Sequence, residues 1–158
     1  MLVATTTVSI NAAFLQEIKQ DNVELRDLLQ RLSGQLLQRR PRIHESRSLV
    51  ECLQRLRDQL ALHFALEEAF GYFENAVDIA PRLSERADEL RGEHDLFFRD
   101  ICGICEQAEQ LMYHEVSPRT LRQIATRFGD FHDALQQHEA RETELIMEAF
   151  DDDIGVGD

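Results

Sequence analysis

Four segments of this chain repeat apolar residues at steps of three and four, the spacing that lays a continuous stripe along one side of an α-helix. The first reads Leu15, Ile18, Asn22, Leu25, Leu29, Leu32 and Leu36, with Asn22 its one polar member. The second reads Leu49, Leu53, Leu56, Leu60, His63, Glu67 and Phe70, and the third Leu83, Ala87, Leu90, His94, Phe97, Ile101, Ile104, Ala108 and Leu111. The fourth runs Leu121, Ile124, Phe128, Phe131, Leu135, His138, Glu142, Leu145 and Ala149. Helical residues four apart share a face at about 6 Å. His63 with Glu67 and His138 with Glu142 therefore point inward as pairs, and His94 points inward alone.

Punctuation between the stripes predicts four helices, over about residues 12–39, 47–76, 81–113 and 118–150. Asn11 is a cap for the first, and Arg40-Pro41-Arg42 breaks the chain after it. Ser48 with Glu51 has the form of a capping box. Asp78 to Pro81 supplies the next turn, and Ser117 before Pro118 sets a capping hydroxyl ahead of a proline at the first helical position. Connections this short make each helix antiparallel to the one before, giving an all-α, up-down-up-down four-helix bundle in one domain over residues 1–158. With a rise of about 1.5 Å per residue, Asn22, His63, Glu67, His94, His138 and Glu142 then fall in one layer, roughly 15 to 20 Å from one end of the bundle.

Composition narrows the function. With 30 acidic residues against 17 Lys and Arg, the formal net charge is −13, which repels phosphate backbones and anionic membrane surfaces. Nucleic acid and membrane are thus not expected partners. The opening MLVATTTVSI has no basic start and too short an apolar run for a signal peptide, and no later run reaches a membrane span of about 18 residues. A cytoplasmic protein is expected, and its three cysteines are read as reduced thiols.

Burying three imidazoles and two carboxylates in an apolar bundle is costly, because each unpaired ion loses several kcal/mol of solvation. A divalent or trivalent metal offsets that loss by favouring ionised carboxylate and neutral imidazole. Iron suits such mixed ligands with open positions, as do manganese and zinc. A metal-free network of imidazolium and glutamate pairs is the other solution, and it needs no cofactor.

These residues resemble the hemerythrins and the wider hemerythrin-like HHE cation-binding domains. HFALEE at His63 and Glu67 is similar to the helix-two motif, EHDLFF at His94 to the helix-three motif, and FHDALQQH to the run into His138 and Glu142 on helix four. The resemblance implies a non-haem di-iron centre with Glu67 and Glu142 as bridging carboxylates. It also implies dioxygen or nitric oxide as small ligands, with oxygen, redox or iron sensing as activities. Two positions depart from the family pattern: Asn22 stands where the helix-one histidine is expected, and Leu90 where oxygen carriers have a further histidine. One metal, or two of unequal affinity, is the corresponding expectation. A degenerate metal-free scaffold and a di-iron oxidase or peroxidase are the two alternative functions.

Around the proposed ligands, Asp21 and Glu24 are expected to project away from the position of Asn22. Glu68, Glu93 and Glu139 adjoin the proposed ligands and are within reach as extra carboxylates, but are expected to be solvated surface acid. Cys102 and Cys105 form a C-x-x-C within a helix, read as core, and Cys52 is expected at a similar depth to Cys105. His44, His114 and His132 are read as surface residues, and the tail DDDIGVGD as a cap or frayed end.

Overall fold

A computed structural model of the chain describes residues 20–69, 72–113 and 117–156. Among them are five helices and no strand: α1 over residues 20–36, α2 Ser46–Ala69, α3 Tyr72–Ile79, α4 Ser84–Glu109 and α5 Pro118–Val156. Short 3₁₀ turns at Ile43–Glu45, Pro81–Leu83 and Gln110–Met112 extend α2 and α4 at their ends. The positions of Asn11, Gly71 and His114 lie outside the described residues.

Local chemistry accounts for two of the boundaries. α1 closes where Leu37 and Gln38 both donate to the Ser33 carbonyl, at 2.9 and 3.0 Å, three residues before the expected end. α5 starts as its sequence predicts, with Pro118 first and the Thr120 amide donating to Ser117 Oγ at 3.1 Å. The expected box at Ser48 does not form, because α2 already begins at Ser46 and Glu51 turns to Arg47 at 3.6 Å. α5 also runs six residues beyond its expected end, so the backbone of Asp151, Asp152 and Asp153 is helical rather than frayed. Three acids near a helix C-terminus oppose the dipole, and charge alone gives no account of that extension.

Contacts between helices fix their relative register. Along α1 and α2, Asp21 meets Gln59 and His63. Between α2 and α4, Gln54 meets Glu109 and Phe64 stacks on His94. Between α4 and α5, Gln107 meets Gln123, Glu93 meets Arg141, and Arg86 meets Glu148. Within each of the last two pairs, rising numbers on one helix meet falling numbers on the other.

The apolar interior falls into two clusters. The larger includes Leu32, Leu53, Leu56, Leu60, Phe64, Phe97, Ile101, Ile104, Phe128 and Leu135. The smaller is Ala76, Ala80, Leu83, Ala87, Leu90, Leu145 and Ala149. Along α4 and α5 the change from one to the other falls at His94 and at His138 with Glu142, so a polar layer divides two hydrophobic cores. Leu90 is one of the residues packed in the smaller core. No described helix is long and apolar enough to cross a membrane.

Candidate metal centre

Helical phase carries the five central side chains inward, as their stripes require. His63, Glu67, His94, His138 and Glu142 are all buried, with His138 fully so. Each imidazole uses its two nitrogens differently. The Nδ1 side faces an outer carboxylate: Asp21 Oδ2 at 2.5 Å from His63, Glu68 Oε1 at 3.1 Å from His94, and Glu93 Oε2 at 2.6 Å from His138. The Nε2 side faces the central glutamates. His63 Nε2 is 2.9 Å from Glu67 Oε1, and His94 Nε2 is 3.2 Å from Glu67 Oε2 and 3.3 Å from Glu142 Oε1. His138 Nε2 lies 2.6 Å from Glu142 Oε1.

Hydrogen bonds from Nδ1 to a carboxylate fix ring orientation and make Nε2 a better donor to a cation, a recurrent arrangement around metal-bound histidine. His94, His138 and Glu142 each offer one atom, and these atoms lie within 4.8 Å of one another. Two buried atoms at the centre, Glu67 Oε2 and His138 Nε2, have no hydrogen-bond partner among the described residues. For His138 that coexists with the 2.6 Å approach to Glu142, so the two atoms are close without the direction of a hydrogen bond. Donor atoms that converge without satisfying one another are what a cation requires, and this mixed imidazole and carboxylate set fits a divalent metal.

Electrostatics at the centre favour its charged forms. Burial would push His63 down, but Asp21 and Glu67 outweigh it and hold the imidazole up at about 10. His94 is likewise pushed down by burial and carried up to about 9 by Glu142, Glu67 and Glu68. His138 is raised by Glu142 and Glu93 against its own burial. Burial raises Glu67, yet His63 and His94 bring it down to about 2. Phe64 stacks on His94 with ring centroids 4.0 Å apart, and Phe97 approaches His138 at 5.0 Å. Those two rings are the part of the larger core that meets the centre.

The first helix differs from its sequence reading. Asn22 is exposed and Asp21 is buried. Leu28 joins Leu25, Leu29, Leu32 and Leu36 in the buried line, and their mean direction lies about 35° from position 21 and roughly 65° from position 22 at 100° per residue. Asp21, expected to project away, is thus the inward residue, fixed further by Gln59 Nε2 donating to Oδ1 at 2.7 Å. Glu68 and Glu93 are also not merely solvated acid, since each holds a histidine. The signal for Glu93 was present in sequence, for it precedes His94 and sits on the side of α4 that meets His138. Glu139 is half-buried, and burial raises its carboxyl. His132 is half-buried against Phe128 rather than on the surface, whereas His44 is exposed as expected. Cys52 and Cys105 share the larger core as buried thiols, with Cys105 pushed up to about 12 by burial.

The hemerythrin HHE cation-binding domain, as a family model, matches residues 13–149. The chain belongs to the hemerythrin HHE family. No curated protein and no solved structure matches it. Membership in a family named for cation binding agrees with the buried histidine and glutamate cluster, and this HHE domain carries its imidazoles on α2, α4 and α5.

Proposed function

We propose that this HHE domain is a cytoplasmic non-haem iron protein, with His94, His138 and Glu142 as the principal ligands and Glu67 beside them. The convergence of those three donor atoms within 4.8 Å carries the reading. His63 and Glu67 form a second, weaker position, because Asp21 already holds His63 and the exposed Asn22 adds no imidazole. Iron at this centre would supply redox chemistry and an open position for a small ligand, dioxygen or nitric oxide, in oxygen, redox or iron sensing. The chain's own residues do the rest: outer carboxylates orient the imidazoles, and Phe64 and Phe97 keep water out. The residues are arranged as a single up-down-up-down four-helix domain, supported by the opposed numbering of helix contacts.

A second reading, a metal-free scaffold, is favoured by one observation: every buried imidazole faces carboxylates on both sides, so protein groups alone can neutralise it. Metal analysis after anaerobic iron loading separates the two. Our reading expects one tightly held iron and a weaker second equivalent, with a charge-transfer band on oxidation in the presence of azide. His138→Ala should abolish the tight step and His63→Ala the weak one. Asn22→His should strengthen the weak step, since position 22 lines the same groove as His63 and Glu67. Failure to retain any metal would leave the scaffold.

A further inference from the structure

A groove of about 710 Å³ lies between α1 and α5 and reaches the centre. Its lining grades inward. Asn22 and Gln136 are exposed, Glu139 is half-buried, and His63, Glu67 and Glu142 are buried. Glu67 ends in the oxygen that lacks a hydrogen-bond partner among the described residues, and it is 6% exposed. Arg26 and His132 are the basic side chains further along the same walls. Between α2 and α4, a second depression lined by Glu68, Asp88, Arg91, Gly92 and Asp95 reaches Glu68, which faces the outer nitrogen of His94, and includes neither central glutamate.

We propose that the α1–α5 groove is the entrance for a divalent cation, and that Glu139 is an outer carboxylate that receives the ion before Glu67 and Glu142 do. The inference rests on the metal-binding reading above and adds the route and a residue outside the ligand set. A hydrated cation cannot cross the apolar clusters on either side of the polar layer, because it would shed water with nothing in return. Along the groove Glu139, and then Glu67 and Glu142, offer carboxylate oxygen in place of water. Low-dielectric walls with acid at their base also focus the field of a chain of net charge −13 toward the opening. Glu139 belongs to α5, as do His138 and Glu142, so an ion held there is already beside the residues that will take it.

Stopped-flow absorption of Co²⁺ binding to the metal-free protein, paired with equilibrium titration, tests the route. Glu139→Gln and Gln136→Lys should each slow loading by about tenfold, within the range that focused charge gives, and should slow release in proportion, leaving affinity and stoichiometry unchanged. Glu139→Gln should also flatten the dependence of the loading rate on ionic strength. Asp95→Asn, in the α2–α4 depression, should load like the unsubstituted chain. Loading by Glu139→Gln at the original rate overturns the proposal, as does equal slowing by Asp95→Asn. So does weaker affinity through faster release alone, which would make Glu139 a ligand of the bound ion. A wild-type chain that takes up no metal overturns the metal-binding reading itself.

Discussion

Asp21 Oδ2 and His63 Nδ1 lie 2.5 Å apart, joining the first helix to the second through two buried side chains. Removing one partner of such a pair strands the other, which costs about 3 kcal/mol or more. Asp21→Asn should therefore destabilise the metal-free protein by about that amount at pH 7, as read by urea denaturation. The raised value of His63, about 10 against an ordinary 6.5, sets the sign of the pH effect. Its contribution is complete below pH 6.5 and is lost as pH rises through 10. The wild-type chain should lose stability across that window, and Asp21→Asn should lose less. Equal slopes would mean that the pair is not formed in solution.

Metal capture must displace protons. At neutral pH His94, held up at about 9, carries a proton that a cation at Nε2 replaces. Binding at pH 7 should release about one proton per metal from His94, and apparent affinity should climb about tenfold per pH unit below pH 9. Calorimetry in buffers of different ionisation enthalpy measures the release directly. A result near zero would place the metal elsewhere.

Glu93 touches no proposed site for the ion, yet it holds His138 Nδ1 at 2.6 Å. Loss of an outer carboxylate of this type weakens metal binding by about 10–100-fold. We expect Glu93→Gln to do so in a competition titration while keeping the helical circular dichroism unchanged. Undiminished affinity would show that the carboxylate does not tune the ring.

Gly92 lies in α4, and a Cβ built there meets nothing within 4 Å. Gly92→Ala should raise stability by about 0.5–1 kcal/mol through helix propensity and a less disordered unfolded chain. Thermal melts of the metal-free protein would register the gain. Gly103 is a different case, because its Cβ would meet Arg127 Nη2 at 2.8 Å. There the flexible guanidinium must shift, and the gain should be smaller.

Helices and the central layer were legible because both depend on period. Steps of three and four survive any detail of packing, and they correctly turned His63, Glu67, His94, His138 and Glu142 inward. Phase at the start of α1 was less legible. Asn22 completes a run from Leu15 and Ile18, whereas Asp21 completes the run from Leu25, Leu28 and Leu32. Only the carboxylate's partners on α2, Gln59 and His63, decide between them, and those are tertiary contacts. The outer acids were ranked as solvated for a similar reason. Glu68 and Glu93 each adjoin a central residue and so appear off-phase, but they reach across to a histidine on the neighbouring helix, and single-helix periodicity carries no information about that neighbour.

Glu93 also stands at a boundary. Arg141, half exposed, grips its two oxygens at 2.8 and 2.9 Å, while the second of those oxygens meets fully buried His138. One carboxylate thus links bulk electrolyte to the interior with no helix having to move. When ions or an acidic neighbour draw Arg141 away, Glu93 becomes the stronger proton acceptor and the ring of His138 the richer in electrons. The surroundings of a fully buried ring are thereby set partly by a side chain that solvent reaches.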